Sequence, residues 1–126
     1  MSPAVSADVE ECAGIHAALD EAAARHGREP LIFSFMETTL IGSDRDDLMA
    51  RADRLAQLHW DGISGEQLLA EHAGGWVCGT VDEVTGQLEE LAGAGLERAM
   101  LQHLNHRDLD TVRVIGEQLQ PRVASL

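Results

Sequence analysis

Apolar residues recur at Val9, Cys12, Ile15, Leu19, Ala22 and Ala23, spacings of three and four that line one face of a helix from Ser6 to His26. Ser6 is placed to cap it, Asp8, Glu10 and Glu11 suit the positive end of its dipole, and Gly27 with Pro30 stops it. The period then changes. LIFSFMETTLIG, residues 31–42, is rich in β-branched and aromatic residues and is apolar on both alternating faces in its first half, as a strand buried on both sides would be. Strands of that kind belong to parallel sheets covered by helices, so a parallel sheet is expected.

Helical spacing returns after residue 42. Ser43 opens a second helix with Asp44, Asp46 and Asp47 in its first turn and Arg51 and Arg54 further along, and Leu48, Ala52, Leu55 and His59 form its expected buried stripe. After Asp61-Gly62 a shorter helix starts at Ser64, with Gln67 as capping-box partner, and stops at Gly74-Gly75. In WVCGTVDEVTGQLEELAGAG, Thr80 and Glu83 form a second capping box ahead of Val84, Leu88 and Leu91. That helix ends near Gly93 and Gly95. LERAMLQHL reads as a second buried strand, and DLDTVRVIGEQL as a final helix with Leu109, Val112, Ile115 and Leu119 on one face, ended or bent by Pro121.

The predicted order is helix, strand, helix, short helix, helix, strand, helix. It is the alternation of an α/β fold with about two parallel strands and four to five helices in a single domain spanning residues 1–126.

Charge and cysteine content narrow the partners. A net charge of −13, with only nine Lys and Arg spread along the chain, argues against nucleic acid. Apolar stretches fall short of a membrane span, and MSPAVSADVEE lacks the basic start and apolar block of a signal peptide, so a cytoplasmic protein is expected. Cys12 and Cys78 are too few and too far apart for a disulfide framework, and they read as buried thiols.

In βα units the carboxyl ends of parallel strands share one rim where ligand sites gather. Gln102, His103, Asn105 and His106 fall at or just beyond the end of the second predicted strand, and Glu37, Thr38 and Thr39 fall late in the first. Each has a plainer reading: Asn105 or Asp108 caps the final helix, and the histidines are solvated. His103 and His106 lack a third ligand for a metal. Gly79-Thr80 at a helix start suits a phosphate, although a capping box accounts for the same residues. Trp60 and Trp76 flank the short helix, either to touch a flat cofactor or to close the gap between helix and sheet. His16, His26, His59 and His72 have no evident catalytic partner, and the acidic runs read as solvated helix faces.

The stretch GTVDEVTGQLEELAGAGLERAMLQHLNHRDLDTVRVIGEQLQPRV resembles the C-terminal end of the luciferase-like monooxygenase family, flavin- or deazaflavin-dependent oxidoreductases built on a TIM barrel. In that family a Gly-Thr-Pro-like start opens the seventh barrel helix, an Ala-Gly pair ends it, an apolar eighth strand follows, and a last helix closes the barrel. Here Val81 stands where the family usually has proline. Residues 6–29 resemble the sixth helical layer, residues 31–42 the seventh strand and residues 43–73 an elaborated seventh crossover.

The resemblance implies a partial TIM-barrel-like fragment, since a whole barrel has eight strands in about 250 residues. It implies an oxidoreductase of the monooxygenase type, incomplete as an isolated chain, with FMN or a deazaflavin as cofactor and a small-molecule substrate. Gln102, His103, Glu37, Gly79 and Thr80 would then be cofactor-binding, with no metal. The alternative is a non-catalytic α/β association module, because two strands leave edges and apolar faces for a second copy or another chain to cover. A third reading, an acidic adaptor for a basic partner, rests on charge alone.

Overall fold

The computed structural model describes residues 7–126. Helix α1, Val9–Arg25, is capped by Asp8, which accepts from the Glu11 N–H at 2.8 Å; the cap expected at Ser6 lies outside the described residues. Strand β1, Ser34–Gly42, leads into α2, Arg45–His59, whose cap is Asp44. Helix α3, Gly65–His72, carries the complete Ser64–Gln67 capping box. Strand β2, Val77–Thr80, runs directly into α4, Val81–Gly93, where the Thr80–Glu83 capping box is also complete. Strand β3, Arg98–His103, is followed by α5, Leu109–Val114. The chain then passes through a π-helical turn, Ile115–Leu119, into the short α6, Gln120–Val123.

The fold is α/β with an open sheet of three parallel strands in the order β2-β1-β3. One strand more is present than the sequence pattern announces, because VCGT has only four residues, too few to display a period before the capping box begins. Strand β1 is central: Ile41 lies beside Gly79 on β2, and Thr38 beside Gln102 on β3. The chain between β2 and β3 therefore crosses β1, whereas successive strands of a barrel wall lie side by side.

Alternation along β1 feeds two cores on opposite faces of the sheet. Phe35 and Ile41 pack with Cys12 of α1, Val84, Leu88 and Leu91 of α4, and Val114 and Leu119 at the C-terminal end. Leu40 turns the other way and packs with Leu48, Ala52 and Leu55 of α2 and Leu68 of α3. Full burial of a leucine contributes about 1.5–3 kcal/mol, so each cluster firmly seats its helices. Gly42 allows the tight strand-to-helix turn, since a Cβ there would meet the Leu48 Cβ at 2.8 Å and its backbone closer still.

Two expected stripes are corrected. His59 is exposed, and the inward face of α2 carries Arg51 and Ala56 as well as Leu48, Ala52 and Leu55. On α5, Leu109 and Val112 are exposed, and Thr111 and Val114 turn inward because Thr111 is held by polar partners. Helical structure continues through Pro121 to Val123, so the proline does not end the final helix. Its ring lacks an N–H and crowds the preceding turn, and the wide turn at Ile115–Leu119 accommodates both effects.

Candidate functional site

The carboxyl ends of β1 and β3 are braced by one buried cation. Arg51, only 6% exposed, donates through Nε to Asp47 at 3.1 Å and through Nη1 to Asp108 and to the Thr111 hydroxyl, the latter at 2.9 Å. Asp47 also accepts from the Ser43 N–H at 2.9 Å, and Asp108 accepts from the Thr111 hydroxyl at 3.1 Å. The turn after β1 and the start of α5 are thus tied through α2.

Burial works to raise both carboxyls, but the Ser43 N–H and Arg51 at Asp47, and Arg51 and Thr111 at Asp108, outweigh it and hold both below the usual range. Burial likewise opposes the guanidinium charge, and hydrogen bonds and charges from Asp108 and Asp47 overcome it. The network is charged and satisfied.

Beside it lies a polar recess of about 370 Å³, lined by Arg54, Asn105, Arg107, Asp108, Leu109 and Asp110. Asp108 is engaged by Arg51 and Asp110 by Arg113, while Arg54 and Arg107 have no carboxylate partner among the described residues. The Asn105 Oδ1 accepts from the Arg107 N–H at 3.3 Å, which leaves the amide NH2 as a donor. Two arginines facing one recess of an otherwise strongly acidic chain make it suited to an anion.

His103 ends β3 next to this recess. Its Nε2 lies 3.1 Å from the Asp108 carbonyl oxygen, and since a carbonyl only accepts, Nε2 is the donor. Gln102 points to the opposite face, where its Oε1 accepts from the Thr38 hydroxyl at 3.4 Å.

Glu37 shares the face of His103 but sits two residues lower, aligned with Leu101, and accepts from the Thr38 N–H at 3.0 Å. Burial pushes its carboxyl up, against the Thr38 N–H and with help from the Glu11 charge. Glu37 and His103 therefore share one face, whereas Gln102 does not.

Gly79 and Thr80 lie across β1 on the far edge of the sheet. Gly79 has φ 143°, and a Cβ there would meet the Glu83 Cβ at 2.8 Å. The Glu83 carboxylate accepts from the Thr80 N–H at 3.1 Å and from Arg45 at 2.7 Å. The Thr80 N–H at this helix start is thus engaged by the chain's own carboxylate. That N–H, ahead of burial and Arg45, governs the Glu83 carboxyl and holds it low.

No group of three or more metal-binding side chains occurs among the described residues. Trp60 and Trp76 pack against the α2–α3 core, with His72 stacked on Trp76 at 3.8 Å between ring centres. A larger groove of about 580 Å³, lined by His16, Leu88, Leu96, Arg98 and Val123 among others, flanks the amino end of β3, away from the rim. No helix among the described residues is long and apolar enough to cross a membrane. Neither a protein-family model nor a curated protein matches the chain.

The sequence pattern does not bring Arg54 and Arg107 together, because 53 positions and two strands separate them. The Arg51–Arg54 spacing is the only local trace of that juxtaposition, and spacing alone does not say which of the two is buried.

Proposed function

We propose that the chain is a cofactor-binding βα unit of the luciferase-like oxidoreductase class, which holds the phosphate-bearing end of FMN or a deazaflavin at the recess beyond β3. The observation that carries this reading is the recess itself, with Arg54 and Arg107 lacking carboxylate partners beside the end of a parallel strand. Strand ends of this kind are where α/β proteins place ligands, and arginine forks match phosphate oxygens.

The residues present fit the phosphate. Arg54 and Arg107 supply charge, and the Asn105 amide supplies a neutral donor. The Arg51–Asp108–Thr111 brace fixes the segment on which Asn105 and Arg107 stand, so the recess does not have to be organised when the anion arrives. The His103 ring stands at the same rim, with Nε2 held by the Asp108 carbonyl, and Gln102 offers an amide on the opposite face. When bound, a reduced flavin would supply the electrons that activate dioxygen for oxygenation of a substrate, and an oxidised deazaflavin would accept a hydride from it, while the protein orients the ring. A cytoplasmic setting and a small-molecule substrate accompany this reading.

Titration of the chain into FMN, and separately into a deazaflavin, followed by fluorescence quenching, tests it. Saturable quenching that weakens about tenfold in Arg107→Gln is expected, the loss of roughly one charge-assisted hydrogen bond. Unchanged affinity in both Arg54→Gln and Arg107→Gln, or no binding of either cofactor, overturns it.

A second reading is an association module that completes or pairs with another chain. The open side of the β1–β3 pair favours it: Met36 is 63% and Met100 46% exposed on adjacent strands. Co-purification with a larger α/β partner is its expected mark, and a lone monomer at all concentrations would remove it.

A further inference from the structure

Strand β3 ends the sheet on one side, and its one fixed charge, Arg98, stands at its first residue. It contains no proline, no lysine and six consecutive residues of regular pairing with β1. The other edge strand, β2, has only four residues.

The Arg98 N–H donates to the Phe33 carbonyl, so Arg98, Met100 and Gln102 direct their backbone groups toward β1. By alternation, Ala99, Leu101 and His103 direct theirs outward, and no backbone group among the described residues meets them.

We propose that a second copy of this chain pairs antiparallel with this edge, on a two-fold axis through Met100, to make one six-stranded sheet. Two conditions restrict the register. A two-fold axis perpendicular to the sheet keeps each face continuous, and outward-directed residues must oppose one another to exchange hydrogen bonds. Axes through Met100 and through Leu101 both meet them with equal overlap, and Met100 is selected because it alone sets Glu97 opposite the partner's His103. Ala99 then exchanges hydrogen bonds with the partner's Leu101, and Met100 meets the partner's Met100 as a closely spaced pair without backbone bonds.

The side chains agree with that register. Glu97, one residue before β3, comes opposite the partner's His103, and Arg98 comes opposite the partner's Gln102. No like charges face each other across the axis. The complementarity of one edge to itself is what favours a second copy over an unrelated strand. The two rims point to opposite ends of the paired sheet, and the pairing rests on backbone groups of β3 and not on a cofactor at the rim.

Light scattering coupled to size exclusion, without any cofactor, reads the assembly. A mass of twice the 13.6 kDa chain is expected at about 100 µM, rising in population with salt because each copy carries −13. Met100→Lys places two ammonium groups on the axis and is expected to give a folded monomer by circular dichroism. Met100→Cys is expected to cross-link to a dimer under mild oxidation, since a closely spaced antiparallel pair suits a disulfide, whereas Met36→Cys, more exposed but one strand inward, is not. A wild-type monomer at 100 µM, or a dimer that Met100→Lys leaves intact while Met36→Cys cross-links as fast as Met100→Cys, overturns the proposal.

Discussion

Arg51, in the middle of α2, and Asp108, at the cap of α5, meet as a nearly solvent-free ion pair although 57 residues separate them in sequence. The contact joins the crossover on one face of the sheet to the chain leaving β3, and Asp108 lines the polar recess. Removing one member leaves the other charge buried without its partner, which is far costlier than losing an exposed pair.

Arg51→Met, which keeps the length of the side chain and removes its charge, is therefore expected to destabilise the fold by about 3 kcal/mol in urea denaturation. Arg45→Gln, which breaks the exposed bridge to Glu83, is expected to cost under about 1 kcal/mol. Equal effects would show that the buried network contributes no more than a surface pair.

Acid should unfold the protein through the same carboxylates. Asp47, Asp108 and Glu83 are held below their ordinary values, so their contribution is fully present above the unfolded range near about 4 and is lost as pH falls through the lower folded values. Measured stability should fall as pH drops below about 4 towards pH 2, with a smaller fall in Asp108→Asn. The same fall in that variant would place the sensitivity elsewhere.

Glu37 has the opposite sign. Its folded carboxyl binds a proton more tightly than the unfolded one, so stability declines as pH rises from the ordinary carboxylate range through the raised folded value. Glu37→Gln keeps an acceptor for the Thr38 N–H and removes the charge. It should be more stable than the parent at pH 7 and equal to it near pH 3. A variant less stable at pH 7 would mean that the charge is held by an interaction stronger than its burial cost.

Gly42→Ala tests the close approach of α2 to the end of β1. The added methyl overlaps the Leu48 backbone, which cannot rotate aside, and a loss of about 1–3 kcal/mol is expected. Gly86→Ala, in open space on α4, should be neutral or stabilising by up to about 1 kcal/mol. Thermal melts of the two variants give the comparison directly.

Local rules carried the reading of the sequence where both partners lie within a turn. Ser64 with Gln67 and Thr80 with Glu83 are three residues apart, and both boxes form as written. Strand β2 was missed because four residues carry no period. The inward face of α5 was misread because Leu109, Val112 and Ile115 offer as good a stripe as Thr111 and Val114 do. The choice is made by the hydroxyl of Thr111, which Arg51 and Asp108 bind inside. Rim positions at Gln102 and His103 followed from strand ends alone, whereas the recess needed Arg54 and Arg107 brought together across the fold.

The phosphate reading of that recess is tested most directly by comparing FMN with riboflavin, which has the same ring system without the phosphate. Isothermal titration of both into the chain at one ionic strength should give FMN at least about tenfold tighter, with the difference shrinking at high salt. Equal affinity for the two, or riboflavin bound more tightly, would contradict a recess that recognises the anion.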